Sequence, residues 1–165
     1  MTDEICSCIK QAAHFLVDGS KFGLLLCGTP GNGKTTLMRA ICSLISSAEV
    51  PCEGIDKTWE LMYVSAKDIV RMAKQDERKF NELCAYRALA IDDLGEEPVE
   101  VLSYGNVLNP VIDLLSYRYD KQLLTIVTSN TPSAKIRERY GDRVADRFNE
   151  MMQVIIFTNP SFRKP

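Results

Sequence analysis

Apolar residues fall into two alternating kinds of block: short unbroken runs, suited to strands covered on both faces, and stripes spaced three and four apart, suited to helices with one buried side. Ile5, Ile9, Ala12, Ala13 and Leu16 predict a helix over 6–17, broken by Asp18, Gly19 and Ser20. The run 22–27 predicts the first strand, and Leu37, Ile41, Leu44 and Ile45 predict a helix over 34–47. Residues 49–57, with Pro51 and Gly54, read as a connector before a second strand over 59–64. Ser65 then caps a helix reaching residue 74, a further helix spans 77–86, and the run 88–94 is a third strand. Residues 95–105 read as a loop, and Val107, Val111, Leu114 and Leu115 predict a helix over 106–119. A fourth strand over 123–128 follows, then helices over 133–140 and 142–151, split at Gly141 with Asp142 as N-cap, and a fifth strand over 154–157. This alternation predicts an α/β protein: a five-stranded parallel sheet with right-handed crossovers, sandwiched by helices.

Composition narrows the function. The chain of 165 residues is 45% hydrophobic and 25% charged, ordinary for a globular protein, and is expected to form a single domain: 1–21 as N-terminal helix and linker, 22–165 as core. A net charge of −2 excludes a global positive field, so any DNA contact must come from a local patch such as Lys135, Arg137 and Arg139, diluted by Glu138. Six cysteines without a CxxC pair, and a single His, lack the spacing of a zinc site and fit reduced thiols in the cytoplasm. Asp3 and Glu4 give the wrong charge for a signal peptide, and apolar runs such as 123–127 are too short to span a membrane.

The chemistry concentrates in GTPGNGKTT, Gly28 to Thr36, which satisfies the P-loop spacing and lies between a buried strand and an amphipathic helix. Gly28, Gly31 and Gly33 let the backbone N–H groups of Gly28, Thr29, Gly31, Asn32 and Gly33 approach phosphate oxygens around Pro30, which has none to offer, while the following helix directs its positive end at the same anion. Lys34 supplies charge to the β- and γ-phosphates of ATP, Thr35 offers a hydroxyl to Mg²⁺, and Thr36 opens the helix beside them. A plain glycine turn would explain neither Lys34 nor Thr35.

The run ALAIDDLG ends in Asp92 and Asp93 at the C-terminal edge of a parallel strand, where ligands of open α/β sheets bind. Many strands end in solvated acids. With a P-loop upstream, Asp92 reads as a Mg²⁺ ligand acting largely through water, and Asp93 as the group that orients or deprotonates the attacking water. Asn130, at the tip of LLTIVTSN, reaches the γ-phosphate if its strand lies beside the P-loop strand; it fits a turn cap equally well.

With these residues in place the chain resembles an AAA+ ATPase of the DnaC and IstB group, from Phe22 onward: GTPGNGKTT as its Walker A, IDDLG as Walker B, TSN as sensor 1, and YGDRVADRF as the segment carrying an arginine finger. The resemblance implies that Arg147 is the finger, with Arg143 beside it, acting on ATP held by an adjacent subunit of a homo-oligomer. Read without the family, Arg143 and Arg147 are a solvated helical face with Asp142 and Asp146 as salt-bridge partners. The ending NPSFRK resembles the group's serine, aromatic, arginine terminus and implies Arg163 as a sensor 2-like phosphate contact. Asp93 stands where most AAA+ proteins carry glutamate. The resemblance further implies that the C-terminal helical lid is lacking and that the partners are DNA, single-stranded favoured, with a replicative helicase; as a departure from the group, only about twenty residues precede the first strand, so its recruitment domain is expected to be missing or to lie on another chain. An IstB-like regulator of a transposase on duplex DNA is the alternative, and a small-molecule P-loop kinase a third reading.

Overall fold

The computed structural model describes residues 2–48, 60–103, 105–132 and 135–163. In chain order these form α1 (Asp3–Asp18), β1 (Gly23–Gly28), α2 (Lys34–Ser47), β2 (Met62–Ser65), α3 (Ala66–Gln75), α4 (Glu77–Cys84), β3 (Ala88–Leu94), β4 (Val101–Ser103), β5 (Asn106–Leu108), α5 (Pro110–Asp120), β6 (Leu124–Ser129), α6 (Ile136–Tyr140), α7 (Asp142–Met151) and β7 (Met152–Phe157). Five strands make one wholly parallel sheet in the order β2-β3-β6-β1-β7.

Both faces of that sheet are covered, which is why β1 reads as an unbroken apolar run. Successive side chains of a strand point to opposite faces. Leu25 and Cys27 therefore enter a core with α3, α4, α5 and α7, while Leu24 and Leu26 enter a second core with α1 and α2. The β1 strand sits between β6 and β7, so the loop leaving it opens at the C-terminal edge beside the ends of β6 and β7.

Several expectations need correction. No helix begins at residue 106: Asn106–Leu108 pairs antiparallel with Val101–Ser103 as a hairpin, and α5 starts only at Pro110. Proline suits the first helical position, where no N–H is needed, and it biases the preceding residue away from helix. Val107, expected on the buried stripe, is 56% exposed. Helix α1 starts at Asp3, with Asp3 and Glu4 in the first turn where carboxylates favour the helix dipole. Its buried line is Cys8, Ala12 and Phe15; Ile9 and Ala13 face outward. On α2, Met38 and Ile41 are buried and Leu44 is exposed. Ser65 caps α3 as expected, accepting from the Asp68 N–H at 3.1 Å, whereas Asp142 is the first residue of α7 and Gly141 precedes it as the cap. The connector 49–57, Cys52, Trp59 and Ser133 lie outside the described residues. Among the described residues no helix is long and apolar enough to cross a membrane.

Candidate nucleotide site

The loop from Gly28 to Gly33 wraps around the Lys34 ammonium. Lys34 Nζ donates to the carbonyl oxygens of Gly28 and Thr29, each at 2.8 Å, and to Asn32 Oδ1 at 3.1 Å. Asn32 is fully buried, and its Nδ2 donates to the Phe157 carbonyl at 3.3 Å. Only glycine fits at position 28: with φ at 151°, a Cβ there would meet Asn32 Nδ2 at 2.4 Å and the Phe157 oxygen at 2.6 Å. Gly33, at φ 103°, turns the chain into α2. Burial lowers the Lys34 pKa, and the Asp93 carboxylate opposes that shift.

The two acids leave β3 at a bulge. Ile91 pairs with Val127 and Leu94 with Ser129, so Asp92 and Asp93 together stand against Thr128. Asp93 takes a positive φ of 55°, and its N–H donates to Thr128 Oγ1 at 2.9 Å. The bulge thus turns one carboxylate inward and the other into the cleft. Asp92, 5% exposed, accepts from Thr35 Oγ1 at 2.9 Å and from the hydroxyls of Thr128 and Tyr63. An ionised carboxylate has no proton to give, so the Thr35 hydroxyl points its hydrogen at Asp92 and keeps its lone pairs free for a cation. Asp93 is exposed, and its pKa is raised by partial burial and by Asp92 and Glu96, with Lys34 and Lys67 pulling it down.

A cleft of about 480 Å³ brings Pro30 to Thr36 together with Asp93, Asn130 and Arg163. Asn130 follows directly from β6, the neighbour of β1, which is the adjacency its expected role required. Gly28 and Thr29 do not line the cleft and supply carbonyls to Lys34, and the buried Asp92 is joined to it through Thr35. Arg163 arrives because β7 ends beside the loop and the following tail crosses it. Phe162 N–H donates to the Gly31 carbonyl at 2.8 Å, and Asn159 Nδ2 to the Asn32 carbonyl at 3.1 Å.

Three lining residues, Lys67, Glu96 and Phe162, were not anticipated. Lys67 lies just past the end of β2, so the C-terminal-edge rule applied to every strand would have found it; Phe162 sits in an irregular tail that carries no periodic signal. Glu97 was also missed. Its buried carboxylate accepts from the Gly95 N–H at 2.8 Å and from the Tyr140 hydroxyl, tying the loop after Asp93 to α6.

Arg143 and Arg147 are not in this cleft. Arg147 pairs with Asp120 at 3.1 Å and lies 4.9 Å from the centre of the Tyr119 ring, while Arg143 is exposed and without a partner among the described residues. Asp142 and Asp146, expected beside these arginines, instead take Arg137 at 2.5 and 2.7 Å. Arg139 turns inward to the Glu97 carbonyl. Of the basic patch expected for DNA, only Lys135 is without such ties among the described residues.

Among the described residues, no three His, Cys, Asp or Glu converge as a metal cluster. The donors at Thr35 and Asp92 are all oxygen, and they suit a hard cation that keeps most of its shell from phosphate and water. The described cysteines are unpaired, and burial pushes the Cys27 and Cys84 thiols up to about 11, which leaves them protonated and inert.

Solved structures share this fold. The DnaC helicase loader is 24% identical with a TM-score of 0.73, over 96% of this chain and 92% of that one. DnaI is 23% identical with a TM-score of 0.73, over 98% and 86%. The replication initiator DnaA bound to AMPPCP and single-stranded DNA is 20% identical with a TM-score of 0.62, over 93% of this chain and 45% of that one. These likenesses establish the fold, a parallel sheet flanked by helices with a P-loop after its first strand. No curated protein sequence matches. The sequence profile of the IstB-like ATP binding proteins matches residues 10–164, and the chain belongs to that family, as an AAA+ protein of the DnaC and IstB type.

Proposed function

We propose that the chain is a DNA-associated ATPase that assembles into an oligomer and hydrolyses ATP at the junction between copies, as a helicase-loader-like protein. The observation that carries this reading is the convergence of Lys34, Thr35, Asp93 and Asn130 on one cleft at the sheet edge, with Asp92 behind it. Triphosphate oxygens take the amides of the loop and draw on the three protons that Lys34 now gives to Gly28, Thr29 and Asn32. A Mg²⁺ ion held at Thr35 and Asp92 would neutralise charge building on the β- and γ-phosphates. Asp93, aimed into the cleft by its bulge, orients the attacking water, Asn130 fixes the water against the γ-phosphorus, and Arg163 adds charge from the tail.

The cation completing the site comes from α7 of a neighbouring copy. Arg147 serves once it leaves Asp120, and Arg143 beside it, exposed and without a partner among the described residues, supports the idea of an α7 face presented outward. Such an arginine is worth about 10³- to 10⁵-fold in turnover. We therefore expect ATPase activity per subunit to rise with protein concentration, and Arg147→Ala to keep nucleotide affinity while losing turnover. Mixing Arg147→Ala with Asp93→Asn should restore some activity, because some junctions then pair an intact cleft with an intact arginine; absence of any rescue would argue against an arginine acting from the neighbouring copy.

DNA is the proposed activator, in the cytoplasm. Single-stranded DNA is favoured, a reading supported by the shared fold with a DnaA that was captured on it. The IstB-like family match favours the second reading, a regulator that binds duplex DNA and directs a transposase, and it weighs against a small-molecule kinase. Stimulation of ATPase by single strands but not duplex supports the loader, and the reverse supports the transposition role.

A further inference from the structure

Tyr63 has no part in the chemistry assigned so far, yet its hydroxyl donates to Oδ2 of Asp92. Strand pairing explains how it gets there. Tyr63 on β2 pairs with Ala90 on β3, so the two share a sheet face, and Asp92, two residues on, points to that face as well. On α2, Thr35 and Arg39 are four residues apart and look the same way. Arg39 lies over the Tyr63 ring, 5.2 Å from its centre, and donates to the Tyr63 oxygen at 3.2 Å. A guanidinium can only donate and an ionised carboxylate can only accept, so the Tyr63 proton is committed to Asp92.

Asp92 is thereby held from three elements. Thr35 of α2 and Thr128 of β6 donate to Oδ1, and Tyr63 of β2 donates to Oδ2. We propose that Tyr63 is a positioning residue for the metal site: it locks the Asp92 carboxylate so that Oδ1 stays on the Thr35 hydroxyl and the Thr35 lone pairs stay turned to the cation. This inference rests on reading the cleft as a Mg²⁺-nucleotide site. Without the Tyr63 hydroxyl the carboxylate can rotate, and the Thr35 proton is no longer fixed away from the ion. The phosphate cradle of loop amides and Lys34 does not depend on it.

The test is a titration of a fluorescent ATP analogue into the full chain, in EDTA and across a Mg²⁺ series, for wild type, Tyr63→Phe and Arg39→Met. Tyr63 is 42% exposed, and loss of one hydroxyl there leaves no buried void, so the variant should fold. For Tyr63→Phe we expect unchanged affinity in EDTA and about a tenfold loss of the tightening that Mg²⁺ brings, the scale seen when a partner of a metal ligand is removed. Arg39→Met, which keeps the hydroxyl but frees its proton, should fall between. Unchanged Mg²⁺ dependence in Tyr63→Phe overturns the proposal, and so does an equal loss with and without Mg²⁺, the mark of a merely structural role. If wild type fails to bind the analogue in either condition, the nucleotide-site reading itself fails, and this inference with it.

Discussion

We expect Lys34→Ala to abolish measurable nucleotide binding while leaving the protein folded. The Lys34 ammonium sits at the centre of the loop, 5% exposed, and its protons are held by oxygens at 2.8 to 3.1 Å. A phosphate entering that cradle meets a full positive charge at close range, worth about 4 kcal/mol at 4 Å in a protein-like dielectric, or about a thousandfold in affinity. The backbone amides and the dipole of α2 cannot replace it, since together they bring only partial charges. Stability should not follow affinity down. Burial lowers the Lys34 pKa, which means the charged lysine costs the folded state free energy rather than supplying it. Removing it relieves that cost, and the exposed Thr29 can turn its carbonyl to water. Titration calorimetry with ATP, beside a thermal melt, checks both halves: affinity retained within tenfold would refute the assignment of the phosphate site.

Much of this site was legible because P-loop chemistry is local. Gly28 to Thr35 is one contiguous stretch, and its position between an apolar run and a helical stripe already fixes which ends lie at the cleft. Asp92, Asp93 and Asn130 needed only the rule that parallel strands end on one edge. What was not legible depends on packing between segments far apart in sequence. The bulge that separates the directions of Asp92 and Asp93 exists through the β3 and β6 pairing, and no residue type announces it. Read without the family, Arg143 and Arg147 had Asp142 and Asp146 as salt-bridge partners, but the packing of α7 against α5 gives Arg147 Asp120 and the Tyr119 ring instead. The helix expected from residue 106 failed for a local reason that was readable, since Pro110 marks a first helical position. Val107 had been counted on its apolar stripe only because its spacing matched by coincidence.

Arg118→Met should cost about 3 kcal/mol of folding stability and leave the affinity of the folded fraction for ATP unchanged. Arg118 is 0% exposed, and no carboxylate is bonded to it among the described residues. Its guanidinium donates to Thr125 Oγ1 at 2.8 Å and to the carbonyls of Cys84 at 3.2 Å, Tyr86 at 2.7 Å and Leu124 at 2.6 Å. Burial pushes its pKa down to about 10, so it still carries its charge at neutral pH. One side chain from α5 therefore closes the exit of α4 and the start of β6, at the end of the sheet opposite the nucleotide cleft. Methionine fills much of the same space and donates nothing, so three backbone carbonyls lose a partner at about 1–3 kcal/mol each. Relief of the buried charge offsets part of that sum. Lysine should rescue little, because one ammonium cannot span acceptors arranged for a planar fork. Urea denaturation of wild type, Arg118→Met and Arg118→Lys measures the difference. If the methionine protein lies within 1 kcal/mol of wild type, the carbonyls have found other partners, and the strand starts, with the register that carries Asp92 and Asn130 to the cleft, are held by core packing alone.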